Sequence, residues 1–301
     1  MAEIWQGELF FNSSPGGSGN SVKIWSSFRG PIVTSSTATF NRVEHLRKRF
    51  EVAQAVIREA GELANGYFKK LSSLTVKSKG SHDLVSEADL NTELLIKERF
   101  NTHFPDDAFF GEETGATALD TARGVWVVDP IDGTQPFLFS MPNWCISIAY
   151  VLDGVIEFGL IYNPPMDELF SGGRDFPATV NGEPVSPNAG TDFTAGLVSI
   201  GFSSRSPREF LFDSLTKLLD GKGMFFRSGS GALSLVYVAC GRLLGHVEPH
   251  MWSWDCFGAI AIIEAAGGKV NKFDVPDALL KGVRVVAGPV AVHDQLETLV
   301  I

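Results

Sequence analysis

The sequence predicts a layered α/β fold, and three observations predict it. Apolar stripes at three- and four-residue spacing mark long helices in the first third of the chain. An Asp153-Gly154 turn joins two apolar runs into a hairpin, so antiparallel sheet is present in the first half. Strand and helix signals then alternate through the second half with no internal repeat. A chain of 301 residues with 44% hydrophobic side chains has the material for one large domain or two closely packed ones.

Taken in order, residues 1–40 are rich in Ser, Gly, Thr and Asn around Pro15-Gly16-Gly17-Ser18-Gly19-Asn20, and read as a flexible N-terminal extension. Val52, Ala55, Val56, Ala60, Leu63, Ala64, Tyr67 and Leu71 form one apolar helical stripe. Arg42, Arg47, Lys48 and Arg49 precede it as an expected solvated face. A second helix is expected from Glu87 to His103, with Ser86 as N-cap and Asp89 at the third helical position, where a carboxylate meets free amides. Trp126 to Val128 reads as a short buried strand, and Cys145–Leu152 and Val155–Tyr162 as the hairpin.

Turn signals at Asn181-Gly182 and the polar stretch 186–194 put a boundary near 187–195. This divides an N-terminal α+β subdomain, 41–190, from a C-terminal α/β subdomain, 191–301. Ser206-Pro207-Arg208-Glu209 reads as a capping box opening a helix that stops at Gly221. Beyond it come a strand near Met224–Arg227, a helix near Ala232–Cys240, a strand near Leu243–Val247 and a helix from Trp254 to Ala266, ended by Gly267-Gly268.

The formal charge of −10 excludes a protein held mainly by polyanion backbones, so no direct nucleic-acid contact is expected. A small phosphate ester would need local cations, which metal ions can supply. Cys145, Cys240 and Cys256 are odd in number and lack zinc-site spacing, as expected of free thiols in a reducing compartment. No apolar run reaches the roughly 18–20 residues that cross a bilayer. No signal segment is evident. The expected location is cytoplasmic, away from membranes.

The chemistry concentrates in two acidic clusters far apart in sequence. Asp129-Pro130-Ile131-Asp132-Gly133-Thr134 follows the apolar run 125–128, and Trp254-Asp255 opens an apolar helix. Each acid also has a structural reading: Asp132 and Asp255 as helix caps, Glu112-Glu113 as an exposed acidic loop. Together, Glu112, Asp129, Asp132 and Asp255 supply the hard oxygen ligands Mg²⁺ prefers, and two cations about 3.5–4 Å apart clamp the attacking and leaving oxygens of a phosphate.

Asp83-Leu84-Val85-Ser86-Glu87-Ala88-Asp89, Gly111-Glu112-Glu113, Trp126 through Thr134, and Trp254-Asp255 through Gly268 occur in an order that strongly resembles the inositol monophosphatase family over roughly residues 45–300. The resemblance implies a five-layered αβαβα sandwich and a Mg²⁺-dependent, lithium-sensitive phosphatase. Glu112, Asp129 and the Ile131 carbonyl look like ligands of one Mg²⁺, with Asp129, Asp132 and Asp255 holding a second. Asp89 resembles the residue that acts with Thr134 to activate a water, and it is also a ligand for a third, weaker ion. Asp89, Thr134 and Glu112 thus form the implied catalytic set. Asp132, Gly133, Thr134, Gly231, Glu248 and Asp255 form the implied substrate set, with Gly229 and Ser230 shaping the rim. A homodimer is implied as well.

The resemblance implies inositol 1-phosphate as substrate. Histidinol phosphate and 3′(2′),5′-bisphosphate nucleotides are the alternatives within the same chemistry, and a regulatory role with transcription machinery is the alternative of another class. Gln135-Pro136 departs from the family pattern, which usually has asparagine in place of Pro136 and, in some relatives acting on those alternative substrates, lysine in place of Gln135. His250 matches no functional position and reads as an exposed loop residue.

Overall fold

A computed structural model describes residues 35–71, 76–80, 83–116, 124–203 and 205–300. The expectation of a flexible segment over residues 1–34 lies outside them. Helix α1 (Ser35–Phe68) already includes the end of the expected extension, and Asn41–Ile301 forms one compact unit. The buried face of α1 is Ala53, Val56, Ile57, Ala60 and Ala64, whereas Ala55 is exposed, so the stripe is rotated from the spacing read in sequence.

A small hairpin, β1 (Val76–Gly80) and β2 (Asp83–Ser86), leads into α2 (Glu87–His103). Next come β3 (Ala108–Gly111), β4 (Gly115–Ala116), β5 (Val125–Asp132) and the short helix α3 (Thr134–Leu138). A meander follows: β6 (Cys145–Leu152), β7 (Val155–Asn163), β8 (Glu168–Gly173), β9 (Phe176–Val180) and β10 (Glu183–Pro184). These strands form an eight-stranded sheet in the order β10-β9-β8-β7-β6-β5-β3-β4, antiparallel except for β3 beside β5. Asp153 and Gly154 both have positive φ, as a two-residue hairpin turn requires.

The second sheet is built from β11 (Leu197–Ile200), β12 (Met224–Phe226), β13 (Gly245–Met251), β14 (Lys269–Val270) and β15 (Val283–Gly288), in the order β12-β11-β13-β15-β14. Its helices are α4 (Arg208–Asp220), α5 (Gly231–Ala239), α6 (Ser253–Ala265), α7 (Val275–Lys281) and α8 (His293–Glu297).

Three apolar clusters define the layers. One joins α1 and α2 to one face of the large sheet through Ile57, Ile96, Phe100, Trp126 and Phe158. The second places α5 and α6 between the sheets, with Val127 and Ala149 on one side and Val285 and Ala287 on the other. The third closes the outer face of the small sheet with Leu218, Leu296 and Val286. The result is the αβαβα order expected from sequence. Strand β5 can be buried along its whole length because helices cover both faces of its sheet.

Three local expectations are corrected by packing. Arg49 is not solvated: it is 9% exposed, binds Asp107 through Nε and Nη2 at 2.8 and 2.9 Å, and lies over the Phe104 ring. Ser206 does not cap α4; its Oγ accepts from the Ser203 amide and the helix starts after Pro207. His250 is a half-buried residue of β13, with Nε2 2.8 Å from the Lys281 carbonyl.

Helix α6 carries Asp255 and crosses β7 at backbone contact. A Cβ on Gly159 would fall 1.9 Å from the Gly258 carbonyl oxygen. Gly159→Ala must therefore push α6 off the sheet. We expect it to lower unfolding free energy by about 1–3 kcal/mol, the cost of overpacking a core, as measured by urea denaturation. An unchanged midpoint would show that the two elements separate freely.

Candidate active site

The acidic residues reach one cleft because two strands stop pairing where these residues occur. The β5–β6 ladder slips between Asp129 and Asp132, where Pro130 has no amide to donate, and the β13–β15 ladder slips between Glu248 and Met251. Asp129 Oδ1 accepts from the Ile131 amide at 2.9 Å, which tightens the turn. Gly133 follows with φ of 92°, and α3 starts at Thr134. Asp255 stands in the first turn of α6, where Oδ2 accepts from the Trp252 amide at 3.3 Å.

Carboxylate oxygens of Asp129, Asp132 and Asp255 lie within 4.8 Å of one another. Glu112, Ile131, Gly133 and Thr134 line the same cleft of about 670 Å³. Burial, followed by Glu112, Asp132 and Asp255, pushes the Asp129 carboxyl well above the ordinary carboxylate range. Burial, then Asp132 and Glu248, does the same to Asp255. Burial also raises Asp132, opposed by hydrogen bonds from Ser230 Oγ and the Ala232 and Gly231 amides. Carboxylates that raise one another in this way favour a bound cation, and an all-oxygen donor set suits a hard divalent ion. The residues fit such a metal.

Asp132 does not cap the helix that follows it. It accepts from Ser230 Oγ, from the Ala232 amide at 2.8 Å and from the Gly231 amide at 3.3 Å, bonding the large sheet to the start of α5. Ser230, the N-cap of α5, also accepts from the Leu233 amide. Glu248 and Gly231 line a smaller hollow of about 170 Å³ that also borders Asp132 and Asp255.

Asp89 is buried at the start of α2, in the capping box expected there: Oδ2 accepts from the Ser86 amide and hydroxyl at 2.9 and 2.7 Å. Thr134 Oγ1 donates to Asp89 Oδ1 at 3.4 Å and lies 3.2 Å from the Ile131 carbonyl oxygen. Burial pushes Asp89 up to about 6 against its bonds to Ser86. Glu112 is not an exposed loop residue but a half-buried one at the cleft wall.

Sequence reasoning missed Glu93. It sits one helical turn after Asp89, and its carboxylate accepts from the Glu113 and Thr114 amides at 2.8 and 2.7 Å, fixing the turn that presents Glu112. The i, i+4 spacing from Asp89 was its only sequence signal. Gly111 makes room for it, since a Cβ there would lie 2.4 Å from the Glu93 carboxyl carbon. Also missed were Phe202, Ser203, Arg205 and Arg227 on the cleft wall.

The sequence profile of the inositol monophosphatase family matches residues 45–301. The chain belongs to the inositol monophosphatase family. An inositol-1-monophosphatase of Synechocystis is 32% identical over 258 residues, covering 83% of this chain and 88% of that protein. A Nus factor SuhB of Haemophilus influenzae is 30% identical over 240 residues, covering 79% and 90%. Among solved structures, inositol monophosphatase from Anabaena superposes with a TM-score of 0.73 at 30% identity, covering 85% of this chain and 96% of that one. The suhB protein of Bartonella henselae gives 0.78 at 29%, covering 83% and 97%. This family member is a phosphatase, a phosphoric monoester hydrolase, of a metal-dependent kind. Among the described residues, no helix is long and apolar enough to cross a membrane.

Two measurements probe this geometry. Glu93→Ala leaves the Glu113 and Thr114 amides without their acceptor, and should weaken Mg²⁺ binding about 10–100-fold, as loss of a residue supporting a ligand does; calorimetric titration reads it, and unchanged affinity would show that the turn holds itself. The second concerns pH. Asp89 has a folded pKa of about 6, above its unfolded value, so the folded state holds the extra proton and its contribution is lost as pH rises through 6. In chelator, the Asp89 share of the fall in stability between pH 4 and 7.5 should be roughly 2 kcal/mol, on top of the shares of the raised Asp129, Asp132 and Asp255, and it should be absent in Asp89→Asn. Thermal melts with and without Mg²⁺ should show the larger metal gain at the higher pH.

Proposed function

We propose that the chain is a Mg²⁺-dependent phosphomonoesterase acting on a small polyol phosphate, with inositol 1-phosphate as its reference substrate. The observation that carries this reading is the convergence of Asp129, Asp132 and Asp255 within 4.8 Å beside Glu112 and the start of α3. In this reading Glu112, Asp129 and the Ile131 carbonyl hold one ion, and Asp129, Asp132 and Asp255 hold another, with Asp89 available to a third. Divalent cations bound there would neutralise phosphate charge and bring the pKa of water toward neutrality.

The chain's own groups supply the rest. The Thr134 hydroxyl, in donating reach of both Asp89 Oδ1 and the Ile131 carbonyl, offers its oxygen to an attacking water once its proton turns to Asp89. Asp89, at about 6, accepts a proton readily near neutral pH. The Gly133 and Thr134 amides receive phosphate oxygens at the start of α3. Glu248 and Gly231 face the alcohol, the segment 191–301 thereby completing a site begun by 41–190. Inhibition by lithium and a homodimeric state belong to the same reading through the family resemblance.

Histidinol phosphate and 3′(2′),5′-bisphosphate nucleotides are the alternative substrates, because Gln135-Pro136 matches neither usual pattern. A role beside transcription machinery is a second reading, supported by the Haemophilus relative being named a Nus factor. Retention of every proposed ligand favours catalysis in either case.

Phosphate release from inositol 1-phosphate, histidinol phosphate and adenosine 3′,5′-bisphosphate tests the proposal. Turnover should require Mg²⁺, and Asp129→Asn should lower kcat more than about a hundredfold. Metal-independent turnover, or none on any small phosphate ester, would overturn the reading.

A further inference from the structure

The cleft is lined by arginines as well as by carboxylates. Arg205, before α4, and Arg227, after β12, both line it, together with Phe202, Trp252 and Trp254. Each guanidinium is anchored by an uncharged group. Arg227 Nη2 donates to the Phe202 carbonyl at 2.8 Å, and Arg205 lies 5.3 Å above the Trp252 ring, which itself stacks on Trp254.

Neither arginine pairs with a carboxylate among the described residues. Arg42, Arg47, Arg49, Arg58, Arg99, Arg242 and Arg284 each do, while Arg174 and Arg208, which do not, lie outside this cleft. In a chain of formal charge −10, carboxylates are plentiful. Two exposed guanidiniums held by a carbonyl and an aromatic face, with their charge left unpaired, are arranged to receive an anion.

The position of Arg227 indicates which part of a substrate they meet. It lines the cleft and also the inner hollow that holds Glu248 and Gly231, the side assigned to the alcohol. The reacting phosphate belongs at the other side, against Asp129, Glu112 and Thr134. An anion at the arginines is therefore a second one, carried by the leaving group. We propose that Arg205 and Arg227 form an outer anion subsite, and that the preferred substrates are phosphate monoesters whose alcohol bears a further anionic group, a carboxylate or a second phosphate. This rests on the phosphatase reading of the same cleft. It also explains how an acidic protein, whose long-range field repels polyanions, would select a doubly anionic ligand: the selection is local.

Matched pairs of probes test it. Glycerol 2-phosphate and 2-phosphoglycerate differ by a hydroxymethyl group against a carboxylate. Propane-1,3-diol monophosphate and its bisphosphate supply the phosphate arm. In the Mg²⁺-loaded wild type, kcat/KM should favour the anionic member of at least one pair by tenfold or more, mostly through KM. Arg205→Gln and Arg227→Gln should each cut that preference several-fold, Arg→Lys should restore part of it, and raised salt should diminish it. Melting curves confirm that the variants fold.

A wild-type preference near one for both pairs would overturn the subsite. So would an equal loss on both members of a pair, which would place the arginines on the reacting phosphate. If neither these probes nor inositol 1-phosphate, histidinol phosphate or adenosine 3′,5′-bisphosphate are hydrolysed, the phosphatase reading fails separately. Calorimetric binding of the same pairs in Ca²⁺ then decides the subsite by the same ratios.

Discussion

The structure depends on crowding several carboxyl groups where water cannot fully solvate them. Asp129 and Asp132 are buried, and Asp255 lies with an oxygen within 4.8 Å of theirs. Such a group of like charges is unfavourable unless protons, hydrogen-bond donors or cations offset it. Each element around the cleft contributes to that offset. The Ile131 amide serves Asp129, the opening of α5 and its N-cap Ser230 serve Asp132, and the Trp252 amide serves Asp255. What these donors leave uncompensated is the affinity for divalent metal.

The same arrangement ties the layers together. Asp132 ends a strand of the large sheet yet bonds to the first residues of α5, which packs between the sheets. Asp255 opens α6, and the Ser147 hydroxyl of β6 donates to the carbonyl of neighbouring Trp254 at 2.7 Å. Glycine at 159 and 258 lets α6 lie against the large sheet at backbone distance, so the carboxylate it carries can approach those of β5. Site and core are one construction, and a change that lifts α6 also opens the acidic cluster.

Much of this was legible because the signals were local. Helix α2 runs over the residues its cap indicated, since Ser86 and Asp89 satisfy each other's part of the helix start within four residues. The Asp153-Gly154 hairpin was readable for a similar reason, two residues with positive φ in sequence. Less was visible where a neighbour far along the chain intervened. Arg49 looked solvated until Asp107 and Phe104 enclosed it, and Ser206 looked like a cap until Ser203 took its hydroxyl. The last strands of the meander and the short helices near the C-terminus lack strong periodicity and take their form from the sheets they pack on.

By itself the sequence determined the layered class, the family and the acidic residues offered to a metal, because each motif sits at a strand end or helix start whose chemistry is written within a few residues. The tertiary structure alone decided which other groups meet them. Glu93 under the Glu112 turn and Arg205 with Arg227 in the cleft carry no motif of their own, and Ser230, expected at the rim, was not expected to bond Asp132. Their roles arise from proximity between residues far apart in the chain, and only the folded backbone sets those distances.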